Sequence, residues 1–332
     1  MNLEFNINDI FGDIFNLSIF SIFTFITLIY FIYKDKLTFF PKVRSFNELK
    51  THSFKYRGLG ILYIISLFPF LCKYFSLHEI TLIILLTLLG FTDDKYDMNS
   101  KLKLFLFILI SFVYNMLDAN MLKSHLVVND FIYFFSKFII LIFLILFFNQ
   151  IDGINGLAGL TYVFSILIIF IVFGNSIIFF PFLLLVIIYL CFNLKGKIGI
   201  QGDSGSYFLA STFFILVNKF TNNFNIFYSL FYLCPILFDV VSTTLIRISM
   251  KKNILYSHTN NLYQKIAVHY NSHLISTFCF IFFQIIFSLF SIYFFYKGNE
   301  TLIIFVTIFV FLMFIYVSYL IDKEKIFKID EE

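Results

Sequence analysis

Two adjacent carboxylates close a long apolar run at Phe91-Thr-Asp93-Asp94-Lys95-Tyr96-Asp97, and Lys101 and Lys103 open the next one. Carboxylates this close, with few other charges nearby, favour a hard divalent cation such as Mg²⁺, which takes oxygen ligands and shares them with substrate phosphates. The lysines add phosphate partners of the right charge. A second stretch, Asn149-Gln-Ile-Asp152-Gly153-Ile-Asn155-Gly156-Leu-Ala-Gly159, sets an acid and two amides among glycines between apolar runs. Glycine lets a backbone approach a ligand closely, and an ionisable residue at a membrane helix end is a functional candidate. In a third, Gly202-Asp203-Ser204-Gly205-Ser206, small residues open an apolar segment. Such a helix start offers backbone N–H groups to phosphate, and Asp203 stands where it could hold the metal that the phosphate shares. The fourth is the loop 247–273, where His258-Thr-Asn-Asn261-Leu-Tyr263-Gln264-Lys265 gathers an imidazole, amides and a cation suited to a nucleotide or sugar and its diphosphate. No P-loop, HExxH or GxSxG occurs. Together these clusters point to metal-assisted chemistry on a phosphorylated substrate.

The elements that must position these residues follow from composition. Of 332 residues only 13% are charged and 60% are hydrophobic, with mean hydropathy +0.91. A soluble domain carries roughly 25% charged residues to clothe its surface, so a soluble enzyme and a disordered chain are both excluded. The net charge of +4 gives no support for nucleic-acid binding. Apolar segments of about 20 residues match helices that cross a bilayer, near 17–33, 58–75, 77–92, 102–118, 131–148, 157–173, 176–193, 205–217, 226–246, 274–296 and 301–320. The expectation is an all-α, polytopic integral membrane protein of about eleven spans, forming one domain over 1–332 with its motif-bearing core at about 40–270.

Ahead of the first span lie Glu4, Asp9 and Asp13 and no basic residue, unlike a signal peptide. Lys34, Lys36, Lys42, Arg44, Lys50, Lys55 and Arg57 follow it, which places that loop in the cytoplasm and the N-terminus outside. Alternating from there puts nineteen Lys and Arg on the cytoplasmic side against five opposite, an N-out, C-in arrangement with all four polar clusters on the cytoplasmic face. The four cysteines show no metal-ligand spacing and are read as apolar packing residues.

At these residues the chain resembles the polyprenyl-phosphate N-acetylhexosamine-1-phosphate transferases, glycosyltransferase family 4. The resemblance rests on Asp93-Asp94-Lys-Tyr-Asp97 with its trailing lysines, on Asn149 to Gly159, and on Phe192-Asn193 ten residues before Asp203. It also includes Gly202-Asp203-Ser-Gly-Ser, the His258 to Lys265 loop, and Arg44-Ser45 followed by Arg57-Gly58-Leu-Gly60. These occur in family order over about residues 40–270. The resemblance implies transfer of a sugar-1-phosphate from a UDP-N-acetylhexosamine to undecaprenyl phosphate, giving the lipid diphospho-sugar and UMP. Mg²⁺ would be the cofactor, with Mn²⁺ as a substitute. It further implies a multi-pass protein of the bacterial inner membrane, in contact with the lipid bilayer and compatible with a homodimer.

By motif match Asp203 would coordinate the metal, with Asp94 assisting there or at phosphate. Asp93 would deprotonate or orient the attacking lipid phosphate, and Asp152 would shape the nucleotide and metal site. Lys101 or Lys103 would bind phosphate, Asn193 and His258 would contact the nucleotide-sugar, and Asn149, Asn155 and Lys265 complete the substrate-binding set. The chain departs from the family where many members have Asp at Asn155 and His at Asn261, and where Lys195-Gly-Lys197-Ile-Gly replaces a usual Pro-Ala. His-x-x-Asn-Leu-Tyr-Gln looks more like the branch initiating O-antigen and exopolysaccharide (GlcNAc-, FucNAc- or QuiNAc-like donors) than the phospho-MurNAc-pentapeptide transferases. A transporter or a non-catalytic scaffold are the competing classes; the former would use Asp239, beside Pro235 in the ninth span.

Overall fold

Each of the two acidic motifs joins apolar helices, and local caps decide where those helices begin and end. The computed structural model describes residues 7–34, 36, 39–41, 56–118, 128–173, 178–194, 199–220, 230–251, 260–298 and 300–324. The described residues form helices and no strands: α1 (Ile7–Tyr33), α2 (Ile61–Tyr74), α3 (Leu77–Tyr96), α4 (Ser100–Leu117), α5 (Val128–Ile151), α6 (Leu157–Phe173), α7 (Phe179–Asn193), α8 (Gly202–Phe220), α9 (Ile236–Ser249), α10 (Leu262–His269), α11 (His273–Tyr296) and α12 (Glu300–Glu324). A Ser76/Glu79 capping box starts α3, and Asp97, in the left-handed region at φ 50°, ends it. Two residues later Asn99 accepts the Lys101 backbone N–H and starts α4. The chain therefore turns sharply just after Asp93 and Asp94.

The core forms around α8, which packs most extensively against α3 and then against α5, α6 and α2. Its stretch Tyr207–Val217 is almost wholly enclosed. Glycine allows the closest approach: a Cβ at Gly90 of α3 would lie 2.5 Å from the Asp203 carbonyl. At the periphery the pattern inverts. Helix α12 shows Phe305, Ile308, Phe309, Leu312 and Tyr316 on its outside, and α4 shows Phe105, Ile108, Phe112 and Met116. Apolar surface of that extent is at home in lipid, where only the backbone must be satisfied internally. Among the described residues, five helices, within 12–33, 100–117, 131–151, 273–293 and 303–320, are long and apolar enough to cross a bilayer, beside shorter apolar helices at 61–74, 157–172 and 179–193. The protein is an all-helical, polytopic membrane protein.

Helix α3, roughly 30 Å long at 1.5 Å per residue, links two different polar ends. Far from Asp93, Lys219 meets Glu79 at 3.2 Å, His78 lies 3.3 Å from Asp118, Lys137 pairs with Asp118, and Lys73 meets Asp13 at 2.5 Å. Lys73, Lys137 and Lys219 are three of the five basic residues expected opposite the cytoplasm, and all sit at this end. Two expectations differ from the fold. Within the span expected at 226–246, residues 230–231 are helical, 232–235 form a turn and α9 starts at Ile236. The loop 247–273 contains α10, because Asn261 and Gln264 form a capping box. The cysteines are unpaired, Cys234 in the core and Cys72 and Cys191 on the outer surface rather than in packing.

Candidate active site

The site forms where α3, α4, α5 and α8 end together. Tyr56 pairs with Gly199 in an isolated parallel bridge, and the Gly60 N–H donates to the Gln201 carbonyl at 3.1 Å. This tie sets Arg57 beside the start of α8. There the Asp94 carboxylate, with no side-chain exposure, accepts the backbone N–H groups of Asp203 at 3.0 Å and Ser204 at 3.1 Å and forms an ion pair with Arg57, whose Nε lies 2.7 Å away. Asp94 thus caps α8 from another helix, a favourable charge at a helix N-terminus. Gly202, at φ 68°, provides the turn, and a Cβ there would collide with the Asp94 carboxylate.

Asp203 points into the space between the helices. Its carboxylate accepts Arg57 Nη2 at 3.3 Å, the Tyr207 hydroxyl at 3.1 Å and Asn149 Nδ2 at 3.4 Å, with Lys103 Nζ 3.7 Å away. Asp93 stands across from it, taking the Met98 N–H at 2.7 Å and Lys103 Nζ at 2.8 Å. Lys103 thus lies between the two acids. Burial pushes Asp93 up to about 6, helped by its hydrogen bond with Asp203 and that carboxylate's charge, while Lys103 opposes. Burial also works against ionisation of Asp203, but the hydrogen bond with Asp93 and the charges of Arg57 and Lys103 outweigh it and hold Asp203 below the ordinary range. Asp94 is raised to about 7 by burial and by Asp203, against Arg57 and the α8 amides. Below about pH 6 Asp93 therefore carries a proton that faces the Asp203 carboxylate.

Asp152 lies beyond α5 and accepts Gln201 Nε2 at 2.8 Å. Desolvation pushes its carboxyl well above the ordinary range, with Gln201 opposing and Asp203 and Asp94 adding. Asn149 donates to both Asp203 and, at 3.0 Å, Tyr207. These contacts bring Asp93, Asp94, Lys103, Asn149, Asp152 and Asp203 into one place. Other expected residues stand apart. Lys101 is exposed on the first turn of α4. Asn193 is buried and donates to the Tyr189 hydroxyl at 2.7 Å. Asn155 is buried toward α11, where its N–H meets His273 Nδ1 at 3.2 Å and its carbonyl accepts Thr277 at 2.8 Å. Lys265 is buried in α10, within electrostatic reach of Asp239. His258 lies outside the described residues.

Arg57 and Tyr207 belong to the site but were not anticipated there. Tyr207 stands one helical turn after Asp203 and is legible as an i, i+4 neighbour; Arg57, 146 residues from Asp203, belongs to the Arg57-Gly58-Leu-Gly60 stretch of the resemblance, which gives it no role at the acids. Among the described residues no group of three or more His, Cys, Asp or Glu gathers as a ready-made metal cage. The donor set is oxygen-rich, with Asp203 and Asp93 facing each other. That suits Mg²⁺, which is ordinarily bound through one or two carboxylates together with substrate phosphates and water.

No curated protein matches the chain. Residues 77–221 match the family described as Glycosyl transferase family 4. The matched region runs from α3 through α8 and contains Asp93, Asp94, Lys103, Asn149, Asp152 and Asp203. Over that region, which holds the site, the chain is similar to glycosyl transferase family 4.

Proposed function

We propose that the protein transfers an N-acetylhexosamine-1-phosphate, GlcNAc-, FucNAc- or QuiNAc-like, from a UDP-sugar to undecaprenyl phosphate, releasing UMP. This is the first membrane step of a cell-surface polysaccharide, on the cytoplasmic face of a bacterial inner membrane, with eleven spans arranged N-out and C-in. The observation that carries the reading is the convergence of Asp93, Asp203, Lys103 and Arg57 where α3, α4 and α8 meet. Two acids and two cations on rigid helix ends suit phosphoryl transfer, which needs positioning and charge neutralisation more than covalent catalysis.

Asp203 and Asp93, with Asn149 nearby, would hold Mg²⁺; the metal would neutralise charge on the transferred phosphoryl group. Lys103, between the two acids, would bind substrate phosphate beside the metal. Asp93, ionised above about pH 6, would accept a proton from or orient the lipid phosphate. Asp94 holds the frame, keeping the N-terminus of α8 and Arg57 in register. Asp152, tied to Gln201, shapes the floor on the donor side. A phospho-MurNAc-pentapeptide donor is the alternative within the family, and the single His258 of the 258–265 segment argues against it. The test is UMP release with a panel of UDP-sugars by the purified protein, set against Asp203→Asn, which abolishes turnover while leaving a folded membrane protein.

A further inference from the structure

Asp239 is fully buried on α9, yet it is not among the acids gathered around Asp203. Its two oxygens accept the backbone N–H groups of Leu262 at 2.9 Å and Tyr263 at 3.1 Å. The arrangement repeats that of Asp94 and α8: an acid on one helix caps the start of another. The α10 end held in this way grips the segment that carries Asp152. Tyr263 donates its hydroxyl to the Gln150 carbonyl at 2.5 Å, Gln150 Nε2 reaches Asn261 Oδ1 at 3.2 Å, and Asn261 Nδ2 donates to the Tyr263 hydroxyl at 2.9 Å. Gln264 lies over Gly153, where a Cβ would meet its Nε2 at 2.7 Å. A carboxylate accepting two buried amides is worth more than a neutral acceptor, and an isolated buried charge would be costly without them.

We propose that Asp239 is a positioning residue for the nucleotide-sugar side of the active site, acting through the α10 N-terminus and Tyr263 on the Gln150–Asp152 segment. The inference rests on the transferase reading given above. Asn261, fully enclosed, holds this clamp together, and the clamp fixes the Gln150–Asp152 segment and lays Gln264 against Gly153. The phosphate-binding end, with Lys103 and Arg57, is built on other parts of the chain. The same bonds explain a buried acid in a membrane helix without a transport pathway.

The test compares wild type, Asp239→Asn and Tyr263→Phe in detergent, with steady-state kinetics for UDP-GlcNAc (or whichever UDP-sugar the wild type uses), undecaprenyl phosphate and Mg²⁺. Loss of a charge-assisted hydrogen bond corresponds to roughly a tenfold rise in donor KM. The expected result is that rise in both variants, with the lipid-phosphate KM and the Mg²⁺ requirement unchanged and the double variant less than additive. A merely structural cap would lower the melting temperature and the active fraction without splitting the two KM values. Unchanged donor KM in both variants, beside an active wild type, overturns the inference alone. A folded wild type that transfers from no UDP-sugar overturns the transferase reading and this inference with it.

Discussion

The Asp94 carboxylate receives the backbone N–H of Asp203 at 3.0 Å, so one acid of the adjacent pair at the end of α3 is the cap of the helix that presents Asp203. The neighbouring carboxylates, Asp93 and Asp94, therefore have different environments. Asp93 faces Asp203 and Lys103, whereas Asp94 is enclosed by α8 amides and Arg57. Division of labour follows from one step along a helix, which rotates a side chain by about 100°.

Replacing Asp94 should harm the fold as well as the activity. Asp94→Ala removes the α8 cap and leaves Arg57 to Asp203 and Asp97; loss of a cap costs about 1 kcal/mol, and loss of the partly buried ion pair adds to it. Thermal unfolding in detergent should show a clear drop for Asp94→Ala and little change for Asp203→Asn, with both inactive. Equal melting temperatures for the two variants would contradict the capping role.

Gly90 is predicted to tolerate no side chain. A Cβ there would come 2.5 Å from the Asp203 carbonyl, backbone against backbone, so Gly90→Ala must separate α3 from α8. Overpacking of this kind costs about 1–3 kcal/mol, and the displaced Asp203 should reduce kcat by more than the stability loss explains. Gly12, with nothing within 4 Å of its Cβ position, is the control: Gly12→Ala should leave activity unchanged. Full activity in Gly90→Ala would show that the α3 and α8 contact does not set the site.

The helices and the four acids Asp93, Asp94, Asp152 and Asp203 were legible in the sequence because apolar length and clustered polar residues are local patterns. What each acid does was not. The capping of α8 by Asp94 joins residues 109 apart in the chain, and the Arg57 contact with Asp203 spans 146, so nothing near either residue announces them. Helix α10 was hidden because Asn261, Gln264 and Lys265 look like ligand contacts as readily as helix residues; the Asn261/Gln264 capping box was the overlooked signal. Asn155 was grouped with the site by its motif, whereas its backbone is tied to His273 and Thr277.

The dependence on metal should vary with pH. Asp93 is raised to about 6, so below that pH it holds a proton that a cation must displace, and above it the carboxylate is free to bind. Apparent Mg²⁺ affinity should therefore rise from pH 5.5 to pH 7.5 and then level off. Activity lost at pH 5.5 should return when more Mg²⁺ is added. Mg²⁺ titrations of turnover at several pH values check this; an apparent affinity that does not change across the range would contradict the proposed role of Asp93.

Lys103 offers a separate test, because it stands between Asp93 and Asp203 at 2.8 and 3.7 Å. Lys103→Gln should lower kcat by about 10²- to 10³-fold, the usual loss when one electrostatic donor to a transition state is removed. Lys101→Gln, on the exposed turn, should have a much smaller effect. Reversal of that order would assign phosphate binding to Lys101.

The most direct measurement of the central claim is UMP release by the purified protein with undecaprenyl phosphate, Mg²⁺ and a panel of UDP-sugars, with EDTA and Asp203→Asn as controls. The account predicts Mg²⁺-dependent UMP release and a lipid-diphospho-sugar with an N-acetylhexosamine donor, abolished in both controls. No release from any donor by folded protein, or release undiminished in Asp203→Asn, would contradict it.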